Sequence, residues 1–120
     1  GYPDKIDAVD YPKAPLNSYN DLSSYLEDSN VDTISIEDAH IHNDLRLLED
    51  FKTKKIKFGL IKVASSEIEE IEEIRVRIKN CLDHIDQDRL IASPDCGLGY
   101  LSRDMAKIKL KNLSEAAKSF

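Results

Sequence analysis

The chain has 120 residues and a mass of 13.6 kDa, enough for one domain at most or a piece of one. A complete eight-stranded α/β barrel needs about 250 residues and is excluded. Hydrophobic residues make up 41% and charged residues 33%, with a net charge of −6; this fits a folded chain, excludes a disordered or fibrous one, and leaves no cationic excess to displace counterions from nucleic acid.

Residues 1–16 read as a loop, punctuated by Gly1, Pro3, Pro12 and Pro15. Tyr2 and Tyr11 are expected to pin it onto a body. Ser18 reads as an N-cap with Asp21 three residues on. Tyr19, Leu22 and Leu26 then fall at helical spacing, which predicts a helix over 18–28 that Asp28-Ser29-Asn30 stops. Val31 to Glu37 is short and rich in β-branched residues, and predicts a strand. After the polar stretch that follows, Asn43 reads as the N-cap of a helix carrying Leu45, Leu47, Leu48 and Phe51.

Lys52 to Lys57 reads as a basic, solvated turn. Phe58 to Ala64 is nearly continuous apolar sequence, as in a strand buried on both faces of a parallel sheet. Ser66 to Ile85 is the clearest helix, with Ile71, Ile74, Ile78, Cys81 and Ile85 on one stripe. Glu67, Glu69, Glu70, Glu72 and Glu73 load its start with charge that suits the helix dipole, and are expected to be solvated rather than to bind a cation. Arg89 to Ser93 is a third short strand, ended by Pro94-Asp95-Cys96-Gly97. A last helix is predicted over Ser102 to Lys118, with Met105, Ile108, Asn112, Leu113, Ala116 and Phe120 sharing a face.

The organisation is therefore an N-terminal loop (1–16), then a helix followed by three strand–helix units (17–120). Strands alternating with helices imply right-handed crossovers and a parallel α/β sheet. Three such strands leave two open edges, so the remainder of a longer chain or a second subunit is expected to cover them. No apolar run approaches the roughly 20 residues that cross a bilayer, and no secretory leader opens the sequence. Two cysteines, Cys81 and Cys96, are too few for a disulfide scaffold, which favours a reducing, cytoplasmic setting.

In parallel α/β folds the working loops follow the C-terminal ends of the strands. Those ends present Glu37 with Asp38, His40 and His42, then Ala64-Ser65-Ser66, then Asp95 and Cys96. A carboxylate and a thiolate in one mouth are a plausible part of a zinc site, with the other ligands coming from elsewhere. Cys81 sits on an apolar stripe and reads as core. His40 and His42 either share a face and chelate a metal or serve as loop hydrogen-bonders. His84, at a helix end, reads as a favourable dipole contact.

The stretch from Val31 to Phe51, the run RLIASPDCGL and the ending LKNLSEAAKSF together resemble the C-terminal part of the cobalamin-independent methionine synthase family. The resemblance covers about residues 31–120. Its sharpest pieces are Ser35-Ile36-Glu37 and Pro94-Asp95-Cys96-Gly97. It implies a (β/α)8 barrel of TIM type, similar to uroporphyrinogen decarboxylase, of which this chain would be the last three βα units. It implies zinc as cofactor, a small-molecule thiol such as homocysteine as acceptor, and a methyl-folate as donor.

On this resemblance Glu37 matches the family's zinc-binding glutamate and Cys96 its last zinc-binding cysteine. The family's remaining His-x-Cys ligand pair has no counterpart in this sequence, so this segment alone is expected to be inactive. Asp95 and Ser35 are substrate-contact candidates; Asp95 is equally placed to orient the Cys96 loop or to cap a turn. One departure stands out. Where the family has Asp-x-His-Ser, with a proton-transferring His, this chain has Lys62-Val63-Ala64-Ser65. That favours zinc-dependent alkyl transfer to another thiol as a competing reading, beside a non-catalytic half-barrel interaction module.

Overall fold

The computed structural model describes residues 5–9 and 13–120; the expectations for Gly1, Tyr2, Pro3, Tyr11 and Pro12 lie outside them. The order is α1 (Ser18–Glu27), β1 (Thr33–Ile36), a 3-10 turn (Leu45–Asp50), β2 (Lys55–Ile61), α2 (Ile71–Leu82), a shorter 3-10 turn (Gln87–Arg89), β3 (Leu90–Pro94) and α3 (Arg103–Ala117). The strands form one parallel sheet in the order β1-β2-β3, with Ile34 opposite Ile56, Ile36 opposite Phe58, and Phe58 opposite Ala92. The three strands form an open sheet, consistent with part of a barrel.

One face of this sheet is closed. Ile34, Ile36, Ile56 and Phe58 point from it into a core shared with Ile74, Ile78, Cys81 and Leu113 of the two long helices. The other face carries Thr33, Ser35, Lys55, Lys57 and Ile91, all exposed. The pleat explains the division, since alternate side chains leave on opposite sides. It also corrects the basic turn: Lys55 and Lys57 belong to β2, on its open face. The ladder with Thr33–Ile36 begins at Lys55, so β2 starts three residues before the apolar run and ends at Ile61 rather than Ala64.

Other boundaries move for local reasons. Asn17, not Ser18, caps α1, and its side-chain amide donates to Asp21 at 3.0 Å. The segment after Asn43 is a 3-10 turn capped by Asp44, because the Asn43 side chain is used elsewhere. α2 begins only at Ile71, where the Glu73 carboxylate accepts the Glu70 N–H at 3.1 Å. Glu69 precedes the helix and is not solvated: it pairs with Lys109 at 2.9 Å, and that lysine is fully buried. Lys109 thus takes the centre of the inner face of α3, and Ile108 turns outward. Its ammonium also donates to the carbonyls of Lys62 and Glu67, so the charge is fully partnered. Among the described residues no helix is long and apolar enough to cross a membrane.

Candidate functional site at the strand ends

Glu37 directly follows β1. Its N–H donates to the Tyr19 hydroxyl at 3.1 Å, which ties the strand end to α1, and burial pushes the Tyr19 pKa up. The Glu37 carboxylate stands 2.7 Å from the Lys13 ammonium. Together with Pro15, Leu22 and Ile41 they line a hollow of about 210 Å³. Cys96 follows β3 and is exposed. It lines a separate hollow of about 300 Å³ with Val63, Gly97, Gly99 and Tyr100. Both residues therefore lie at the C-terminal end of the sheet, in different hollows, with the end of β2 between them. Ser35 lies on the open face one pleat before Glu37. Cys81 is core, and burial raises its thiol to about 12.

The loop after β1 is laced to its surroundings from three sides. From β3, the Asp95 carboxylate accepts the N–H groups of Asp38, Ala39 and His40, each at 2.9 Å. Burial, the dominant influence, pushes the Asp95 pKa up against the pull of those three donors. From α2, Arg77 donates to both oxygens of Asp38 at 2.8 Å, and Asp38 is fully buried. Within the loop, Asn43 donates from its amide to the Glu37 carbonyl at 2.7 Å and to Asp38 at 3.0 Å. Just past the end of β2, the Val63 and Ala64 N–H groups donate to Nε2 of His40 at 3.0 and 3.3 Å. That acceptor role places the ring proton on Nδ1, and burial lowers the His40 pKa.

His40 and His42 are thus not a chelating pair. His40 spends Nε2 on the backbone, whereas His42 is mostly exposed, 3.7 Å from Asp38. His84 sits just past the end of α2, where its N–H donates to the Cys81 carbonyl at 2.9 Å and its ring Nδ1 contacts Glu49 at 2.6 Å. The N-terminal segment adds a further tie: Asp7 donates its N–H to the Ala64 carbonyl at 2.9 Å, and its carboxylate accepts the Ser66 N–H and hydroxyl at 2.7 and 2.6 Å. Residues 62–66 are thereby bonded on both sides.

The predicted elements give no rim role to Arg77, Gly59 or Lys13, and they mark Asn43 only as a helix cap. For Gly59 a signal exists: a glycine inside an apolar strand marks a close approach. Asp38 and Arg77 are 39 residues apart, and nothing in the spacing links them.

Glu37 and Cys96 are the kinds of donor zinc accepts. Glu37 already holds a cation, the Lys13 ammonium, and the Cys96 thiol is accessible. Among the described residues no three His, Cys, Asp or Glu side chains gather closely enough to hold a metal.

The sequence matches the family described as "Cobalamin-independent synthase, Catalytic domain" over residues 16–119. It is 31% identical over 103 residues to a methionine synthase of Pyrococcus furiosus, covering 85% of this chain and 30% of that protein. It is 28% identical to a 5-methyltetrahydropteroyltriglutamate–homocysteine methyltransferase of Dictyostelium discoideum, covering 87% of this chain and 13% of that one. The fold superposes with a TM-score of 0.80 and 35% identity on a B12-independent methionine synthase from Shewanella sp. W3-18-1 solved with selenomethionine, covering 84% of this chain and 30% of that one. The chain spans less than a third of the length of each of these relatives.

Proposed function

Because the chain belongs to the cobalamin-independent synthase catalytic-domain family, we propose that it is the C-terminal part of a (β/α)8-barrel methyltransferase that methylates a homocysteine-like thiol in methionine biosynthesis. The supporting observation is the position of Glu37 and Cys96 at the C-terminal rim, after β1 and β3, within the family match. In this reading Glu37 and Cys96 hold zinc together with ligands from the rest of the polypeptide. When bound, zinc supplies the positive charge that keeps a thiol deprotonated near neutral pH.

The chain's own residues do the rest of the work assigned here. Glu37 would be one of the residues that hold the metal, and it stands with Lys13 at a hollow that an anionic group of a substrate could enter. Ser35, on the open face below Glu37, faces the side on which the substrates enter. The laced loop keeps Glu37 in place so that the acceptor sulfur and the methyl group meet in line. Both substrates are small molecules, the donor of the methyl-folate class, and the setting is the cytoplasm.

A second reading is favoured by Ala64, which stands where the family's proton-transferring histidine is expected: zinc-dependent alkyl transfer to a different thiol. Methyl transfer and zinc content of the natural full-length polypeptide test both. Cys96→Ser is expected to abolish both, and Glu37→Gln to weaken zinc binding. Retention of zinc and activity by Cys96→Ser overturns the zinc assignment. Zinc binding with activity only on a thiol other than homocysteine selects the second reading.

A further inference from the structure

Asp95 touches the ends of all three strands. It follows β3, its N–H donates to the Ile61 carbonyl at the end of β2 at 3.1 Å, and its carboxylate takes three consecutive N–H groups of the loop after β1. Neighbouring strands lie about 4.8 Å apart, so the carboxylate bridges a gap of about 10 Å between the ends of β1 and β3. Two features of β2 make room for this. The pairing slips between Gly59 and Ile61, one extra residue of β2 against β3, a bulge of the kind that re-aims side chains near functional rims. And Gly59 has no Cβ where Asp95 lies: a methyl group there would overlap the Asp95 Oδ1 and stand 2.9 Å from its Cα.

We propose that Asp95 is a positioning residue that acts on the opposite loop: seated over Gly59, it fixes the backbone behind Glu37 and so sets the Glu37 end of the rim against the Cys96 end. Its functional consequence rests on the zinc reading above. Three N–H donors from consecutive residues make a cradle for an anion, and the chain fills it with its own carboxylate. Asp95 is 5% exposed and both its oxygens are engaged, so it acts through the loop it holds. Groups behind metal ligands of this kind tune affinity without touching the ion.

The test uses the full-length polypeptide with zinc as probe and two readouts, zinc affinity and amide hydrogen exchange at residues 38–40. Asp95→Ala is expected to lower zinc affinity about 10- to 100-fold and to speed exchange at 38–40 about tenfold or more, leaving exchange in α3 unchanged. Gly59→Ala, which keeps the carboxylate but fills its seat, is expected to do the same. The double variant Gly59→Ala/Asp95→Ala should lose less than the sum of the two single losses, because the new methyl no longer meets a carboxylate, although it still stands 2.9 Å from the Cα of residue 95. If Asp95→Ala fails to fold, Gly59→Ala and Asp95→Asn carry the test. Unchanged exchange at 38–40 overturns the proposal; so does accelerated exchange with zinc affinity intact, and so does a double variant that sums the two single losses. If the parent polypeptide binds no zinc, it is the proposed function that fails, and the exchange data alone decide whether Asp95 fixes the loop.

Discussion

The helix-side core and the rim are held together by different physics. In the core, Ile34, Ile36, Ile56, Phe58, Ile74 and Ile78 exclude water through many weak, interchangeable contacts. At the rim, Asp38, Asp95, His40 and Asn43 make a few directional bonds, each to a particular atom. The core determines where the strands lie. The rim determines where the loops after those strands lie, and a candidate site depends on the second as much as the first. A change in the core should therefore cost stability in proportion to the volume lost. A change at the rim should cost according to which polar group is left without a partner.

The largest expected effect is in the core. Phe58→Ala removes a ring that is 1% exposed and should destabilise by about 3–5 kcal/mol, read as a lower urea midpoint. A loss below about 1 kcal/mol would mean that the cavity collapses easily and that the sheet is less tightly packed than described. Next comes the buried ion pair. Asp38→Ala strands the Arg77 guanidinium, with an expected loss of about 3 kcal/mol. Asp38→Ala/Arg77→Met should recover part of it; strict additivity of the two single losses would show that the pair is not coupled.

A smaller effect is pH-dependent. Burial holds the folded His40 pKa below its ordinary 6.5, so the neutral ring is the form the fold prefers. Its contribution is complete above 6.5 and declines as the pH falls below that value. His40→Gln keeps an acceptor for the Val63 and Ala64 N–H groups but cannot titrate. Between about pH 7.5 and about pH 5.5 the parent should lose more thermal stability than this variant, and equal losses would remove His40 from the account. Least of all, Glu37→Gln and Cys96→Ser should shift stability by no more than about 0.5 kcal/mol. A large drop in melting temperature for either would make it a structural residue and blur the division between core and rim.

Much of the core could be read from the sequence because its signals are local. The stripe from Ile71 to Ile85 and the alternation from Val31 to Glu37 each repeat within a few residues, and the structure buries Ile34, Ile36, Ile74, Ile78, Cys81 and Ile85. The rim was read only as far as its positions: strand ends mark Glu37, Asp95 and Cys96, yet the partners of Asp95 lie 55 to 57 residues away. Ile108 misled for a related reason. The helical pattern puts it on the inner face of α3, a place that Lys109 takes because Glu69, 40 residues upstream, is brought beneath it. Helix boundaries slipped where side chains such as Asn43 were diverted to bonds that no local pattern encodes.

The open face of the sheet, with Lys55 and Lys57 two residues apart on its central strand, bears on how the chain avoids itself. Laying two copies together across that face would crowd like ammonium groups in a confined, poorly hydrated space, which is costly. In the barrel reading the same face lines the interior, where each ammonium would need an acceptor from the rest of the polypeptide.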